Sequence, residues 1–140
     1  MKTTITKSLI QFITVTTFLT VIFRISLSKF LNEQLWSFVF IPPLIYFILM
    51  YVSGRCFGIK EYNYLPIGDI GFRFHVSTFI VFLIVSYLMY YLGYMSNSEP
   101  KGILDITILI WGIFLIIHMI LFFKSKNDKI KGINKENIFD

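Results

Sequence analysis

The chain has 140 residues, of which 56% are apolar and 15% charged, with a mean hydropathy of +0.72 and a formal net charge of +5. A soluble domain carries about 25% charged residues, whereas this chain holds 16 Phe, 8 Tyr, one Cys and no Ala. That composition excludes a solvated globule, a disordered chain and a disulfide scaffold, and leaves a small all-α integral membrane protein.

A helix needs about 20 mostly apolar residues to cross about 30 Å of hydrocarbon. Segments at about 8–28, 34–53, 72–95 and 103–123 meet that length without period-2 alternation, which predicts four transmembrane helices. In the first, Lys2 and Lys7 precede an apolar run. A secretory signal peptide shares this layout, but Arg24 follows the run and no Ala marks a cleavage site, so an uncleaved anchor is expected. Without Ala, close helix contacts must come from Gly, Ser and Thr. Thr14, Thr16, Thr17 and Thr20, with Gln11, are therefore expected to face the bundle.

In the second segment Trp36 reads as an interfacial anchor, and Pro42-Pro43 removes two amide donors and predicts a kink. The stretch 54–71 holds four Gly and one Pro and is expected to be an irregular loop, kept sticky by Tyr62, Tyr64, Leu65 and Ile67. In the third segment Tyr87, Tyr90, Tyr91 and Tyr94 suit the outer interface. In the fourth, Asp105 is placed to complement the helix dipole. A polar tail, 124–140, follows the single transmembrane domain, 1–123, as a solvated end.

Lys2, Lys7, Arg55, Lys60, Arg73 and the tail lysines fall on one side of this arrangement; Arg24, Lys29 and Lys101 fall on the other. The bias predicts cytoplasmic termini in an inner membrane, with the net +5 on the cytoplasmic face and anionic headgroups as its partner. The basic residues are dispersed, so no nucleic-acid partner is expected.

His75 and His118 carry the most information. In antiparallel third and fourth helices they fall at similar depth near the cytoplasmic end. Three-and-four steps place His75, Thr78, Phe82, Ser86 and Gly93 on one face, and Thr107, Trp111, Phe114 and His118 on the other helix's face. The first expectation is a structural pair, each ring hydrogen-bonded to a neighbour. A pH- or ligand-responsive pair, a bis-imidazole haem, or a zinc site completed by Cys56 or Asp69 are the other chemistries such residues allow. The chain has no nucleophile elbow, no HExxH, no P-loop and no paired intramembrane carboxylates, so no enzyme and no resident cofactor are expected. Association as an anchor, accessory or signalling-assembly subunit, with a membrane protein or a second copy as partner, is the leading expectation. A b-type haem subunit using His75 and His118 comes second, and a small transporter or pore third.

The run Phe72-Arg73-Phe74-His75 and the run Trp111-Gly112-Ile113-Phe114-Leu115-Ile116-Ile117-His118, followed by Phe122-Phe123-Lys124, resemble the two-helix transmembrane (2TM) domain family of bacteria. That family opens its hairpin with F-x-x-H and closes it with W-G-I-G-L-x-x-H. The resemblance covers roughly 71–124 and implies a hairpin anchor of undefined activity, with Phe72, His75, Trp111, Gly112 and His118 as its motif residues. Phe114 stands where the family has Gly, which predicts a wider helix contact there, and the Asn found midway along the family's first helix is absent.

Overall fold

Thr6 opens the first helix: its extended backbone and its hydroxyl, which accepts from the Leu9 amide at 3.2 Å, form an N-cap. In the computed structural model, which describes residues 5–64 and 70–131, four helices follow in order. They are α1 (Lys7–Asn32), α2 (Ile41–Tyr64), α3 (Ile70–Tyr91) and α4 (Lys101–Lys131), with a 3-10 turn at Trp36–Phe38 before α2. The described residues form no strand, and all four helices are long and apolar enough to cross a membrane.

α1 is the centre of the bundle, packing on both α2 and α3, while α4 docks on α3. Burial along α1 follows the stripe Leu9, Phe12, Thr16, Thr20, Arg24, Ser28 and Leu31. Thr16 and Thr20 are fully buried, as expected, but Gln11 and Thr14 point outward, since they lie off that narrow stripe. Phe12 joins the helices at one end, with its ring 4.5 Å from Phe74 of α3 and 6.2 Å from Phe57 of α2. Further along, Val81, Val85 and Met89 of α3 pack with Ile13 and Val21 of α1.

Three local expectations are corrected. Pro42 and Pro43 sit in the first turn of α2 and make no kink, because first-turn amides have no partner inside a helix. α2 then runs through Gly54 and Gly58 to Tyr64, so the expected loop is helical over most of its length. Each Gly costs only about 1 kcal/mol in a helix already propagating from an apolar segment. Residues 65–69, which include Leu65, Ile67 and Asp69, lie outside the described residues. Third, α3 ends at Tyr91, and Gly93 is its cap instead of a packing position. With φ +75° it lets the Gly93 amide reach the Tyr90 carbonyl at 3.1 Å and the Tyr94 amide reach that of Met89 at 3.0 Å. Gln34 closes α1 the same way at φ 56°, a left-handed conformation in a residue that has a Cβ. α4 spans 31 residues, about 46 Å, so its polar end from Lys124 to Lys131 is helical too. The rest of the tail is outside the described residues.

Candidate functional site

The α3–α4 hairpin closes on a heptad-like seam. On α4, Leu104, Ile108, Trp111, Leu115 and Phe122 lose exposure at alternating four and three steps, and His118 takes the remaining place. Trp111 lies against Phe79 and Phe82 of α3, with ring centroids 5.9 and 4.9 Å away. Gly112 lies beside the Phe79 ring, which stands 3.6 Å from where a Cβ would be, an ordinary van der Waals distance. Thr107 and Phe114, placed on this face by the sequence, point outward. They sit tens of degrees off a seam that is narrow because α3 is its main partner. Phe114, 65% exposed, does not widen the contact.

His75 and His118 are brought together at the end where α3 begins. Their rings meet edge to face, centroids 5.1 Å apart and planes at 66°. His118 also stacks on Phe72 at 5.9 Å, and Phe72 on Phe122 at 5.4 Å, which makes an aromatic ladder. Both imidazoles are exposed, and neither has a hydrogen-bond partner among the described residues, so ring contacts stand where hydrogen bonds were expected. A bis-imidazole haem needs one ring on each side of the macrocycle. Rings already in edge-to-face contact leave no slot between them, and the pair as placed does not fit a porphyrin. Among the described residues no three His, Cys, Asp or Glu side chains come together as a metal site.

The opposite end of the bundle holds a polar cluster that sequence reasoning missed. Arg24 is 4% exposed; its Nη1 donates to Glu99 Oε1 at 2.9 Å and its Nη2 approaches Met95 Sδ at 3.3 Å. The guanidinium also lies over the Phe82 ring, 5.7 Å from its centroid. Beside it, Ser96 donates to Asn32 Oδ1 at 2.6 Å. One helix thus holds the α3–α4 connection at two points. Arg24 Nε and the fully buried hydroxyls of Thr16 and Ser86 have no partner among the described residues. Thr20 bridges to α2, with its Oγ1 3.1 Å from Tyr46 Oη. Tyr87 donates to Asp105 Oδ1 at 2.6 Å, which gives Asp105 a cross-helix partner just past the first turn of α4, where a dipole would hold it. The four-residue step Thr16–Thr20–Arg24–Ser28 was a usable signal for the Arg24 cluster.

A third feature is a groove of about 680 Å³ between α2 and α3, floored by Phe12 of α1 and reached by Trp111. Pro43, Phe47, Met50 and Phe74 line its apolar length, and Arg55 and His75 stand at one end. No family model matches the chain, and neither does any curated protein or solved structure.

Proposed function

We propose that this protein is a small multi-pass protein of the bacterial inner membrane that acts by association, as an anchor, accessory or signalling-assembly subunit, and not as an enzyme. Its termini are cytoplasmic, and α3 and α4 serve as a 2TM-like hairpin whose cytoplasmic end is closed by the Phe72, His75 and His118 ladder. α1 is retained as a span, because α2 and α3 each pack more extensively on α1 than on each other.

What carries the proposal is the position of α4. It meets the bundle along one seam, while Ile106, Leu109, Ile113, Phe114 and Ile117 remain exposed. Only lipid or another membrane helix can cover such a surface. The test is cross-linking in native membranes, with Cys56→Ser as background and single cysteines introduced by Phe114→Cys, Ile117→Cys or Ile113→Cys. A discrete adduct that forms from one face of α4 and not from its neighbours is expected. A chain that stays monomeric at every α4 position overturns association. A reporter fused after Asp140 is expected to read as cytoplasmic, and a periplasmic signal overturns the topology.

A further inference from the structure

The groove between α2 and α3 is bordered by Gly71, Phe74, His75 and Thr78 on the α3 side. Its lining runs along α2 from Pro43 to Gly58, about 22 Å at 1.5 Å per residue. It encloses about 680 Å³, and its lining is mainly apolar. A flexible hydrocarbon chain can follow such a cleft through apolar contact alone. At about 22 Å the groove also exceeds the ~15 Å depth of one leaflet.

Two glycines keep it open. Gly54 and Gly58 lie one turn apart on the groove side of α2, and a Cβ on either would meet nothing within 4 Å. No neighbour within the described chain needs that space, although each Gly weakens the helix relative to Ala. Gly-x-x-x-Gly spacing also suits close helix pairing. Here, self-pairing at these glycines would bring Arg55 close to its own copy, and like charges repel.

The lining is polarised along its length. Arg55 is its one charged residue and, among the described residues, has no ion-pair partner. It stands with His75 at the end where α2 finishes and α3 begins, while at the opposite end the Tyr46 hydroxyl, held by Thr20, lies among apolar side chains. A guanidinium at the mouth of an apolar slot matches an amphiphile with one anionic head and a hydrocarbon chain, and Arg suits phosphate in particular.

We propose that this groove binds an anionic phospholipid of the cytoplasmic leaflet, with one acyl chain along Phe47, Met50 and Phe74 and the phosphate at Arg55. The inference rests on the membrane topology proposed above. Full-length protein is reconstituted in vesicles of phosphatidylcholine and phosphatidylglycerol, extracted in mild detergent and weighed by native mass spectrometry. One retained phosphatidylglycerol per chain is expected, favoured over phosphatidylcholine by about tenfold, the scale of one charged hydrogen bond. Arg55→Gln should remove that preference. Gly54→Leu and Gly58→Leu should remove the retained lipid, while Ile113→Leu on the outer face of α4 should not.

A second measurement needs no groove variant: with Trp36→Phe as background, Trp111 fluorescence should be quenched more by brominated phosphatidylglycerol than by brominated phosphatidylcholine. Equal retention of both lipids, retention unaltered by the leucines, or equal quenching overturns the proposal. A dimer that Gly54→Leu converts to monomer with no change in lipid count would assign the groove to a second copy instead. A failure of the topology itself shows separately, as a soluble chain or a periplasmic reporter.

Discussion

The two ends of α3 handle polar side chains in opposite ways. Where α3 ends, Arg24 and Glu99 are withdrawn from solvent, 4% and 10% exposed, and bind each other across the α1–loop contact. Where α3 begins, His75 and His118 stay exposed and touch through their rings. The difference follows from charge and burial. A guanidinium inside an apolar bundle must find an acceptor, because an unpaired ion there costs several kcal/mol. An imidazole at an exposed edge can meet its polar needs outside the chain and use its ring for packing. The Arg24 end is accordingly a structural tie between distant segments, and the histidine end is an open surface.

The largest effect that would break this contrast is at Arg24. Arg24→Leu leaves Glu99 unpaired and is expected to cost about 3–5 kcal/mol, read as a lowered denaturation midpoint in detergent. The double variant Arg24→Leu with Glu99→Leu should recover much of that loss. No recovery would show that the guanidinium matters through Met95 and Phe82 instead of Glu99. Next comes Trp111→Ala, at about 2 kcal/mol, below the range for a fully buried Trp because this one is half-buried. A loss as large as that at Arg24 would make the hairpin seam the stronger of the two regions.

Smaller effects sharpen the comparison at the caps and the ladder. Gly93→Ala should lose about 1 kcal/mol, the cost of a Cβ at φ +75°. Gln34→Gly should gain about 0.5 kcal/mol, since relief of a left-handed residue worth about 1–2 kcal/mol is offset by about 0.4–1 kcal/mol of added unfolded-chain freedom. Paired melting curves of the two variants check both signs. His75→Phe and His118→Phe should shift stability by no more than about 0.5 kcal/mol, as surface changes that keep a ring do. Protein made with excess haem should show no Soret band. A band abolished by both histidine variants would mean that the hairpin opens to admit a porphyrin, and would place function at the histidine end.

Much of this was legible along the chain. Runs of about 20 apolar residues mark helices that can span a bilayer whatever packs beside them. The juxtaposition of His75 with His118 followed from antiparallel helices of equal rise. The local misreadings have one cause: Pro and Gly mean different things at different helix positions. Pro42 and Pro43 would break a helix interior and are neutral in its first turn. Gly54 and Gly58 resemble loop residues and are helical, while Gly93 resembles a packing residue and is a cap. On α4, steps of three and four were right in kind. Because α4 meets the bundle through a single narrow seam, Trp111 and His118 stayed on it and Thr107 and Phe114 fell outside.

By itself, then, the sequence determined that the protein is all helical, with four segments able to cross a membrane, and that its two histidines share a level. Those are properties of residue type and spacing within one segment. Only the tertiary structure decided that α1 is central and α4 peripheral, that Arg24 finds Glu99 from 75 residues away, and that Gly54 and Gly58 border a groove. Each of these depends on which helix faces which. In so apolar a chain nearly every helix face is hydrophobic enough to be buried, and the choice falls to the few polar and small side chains that fit only one neighbour.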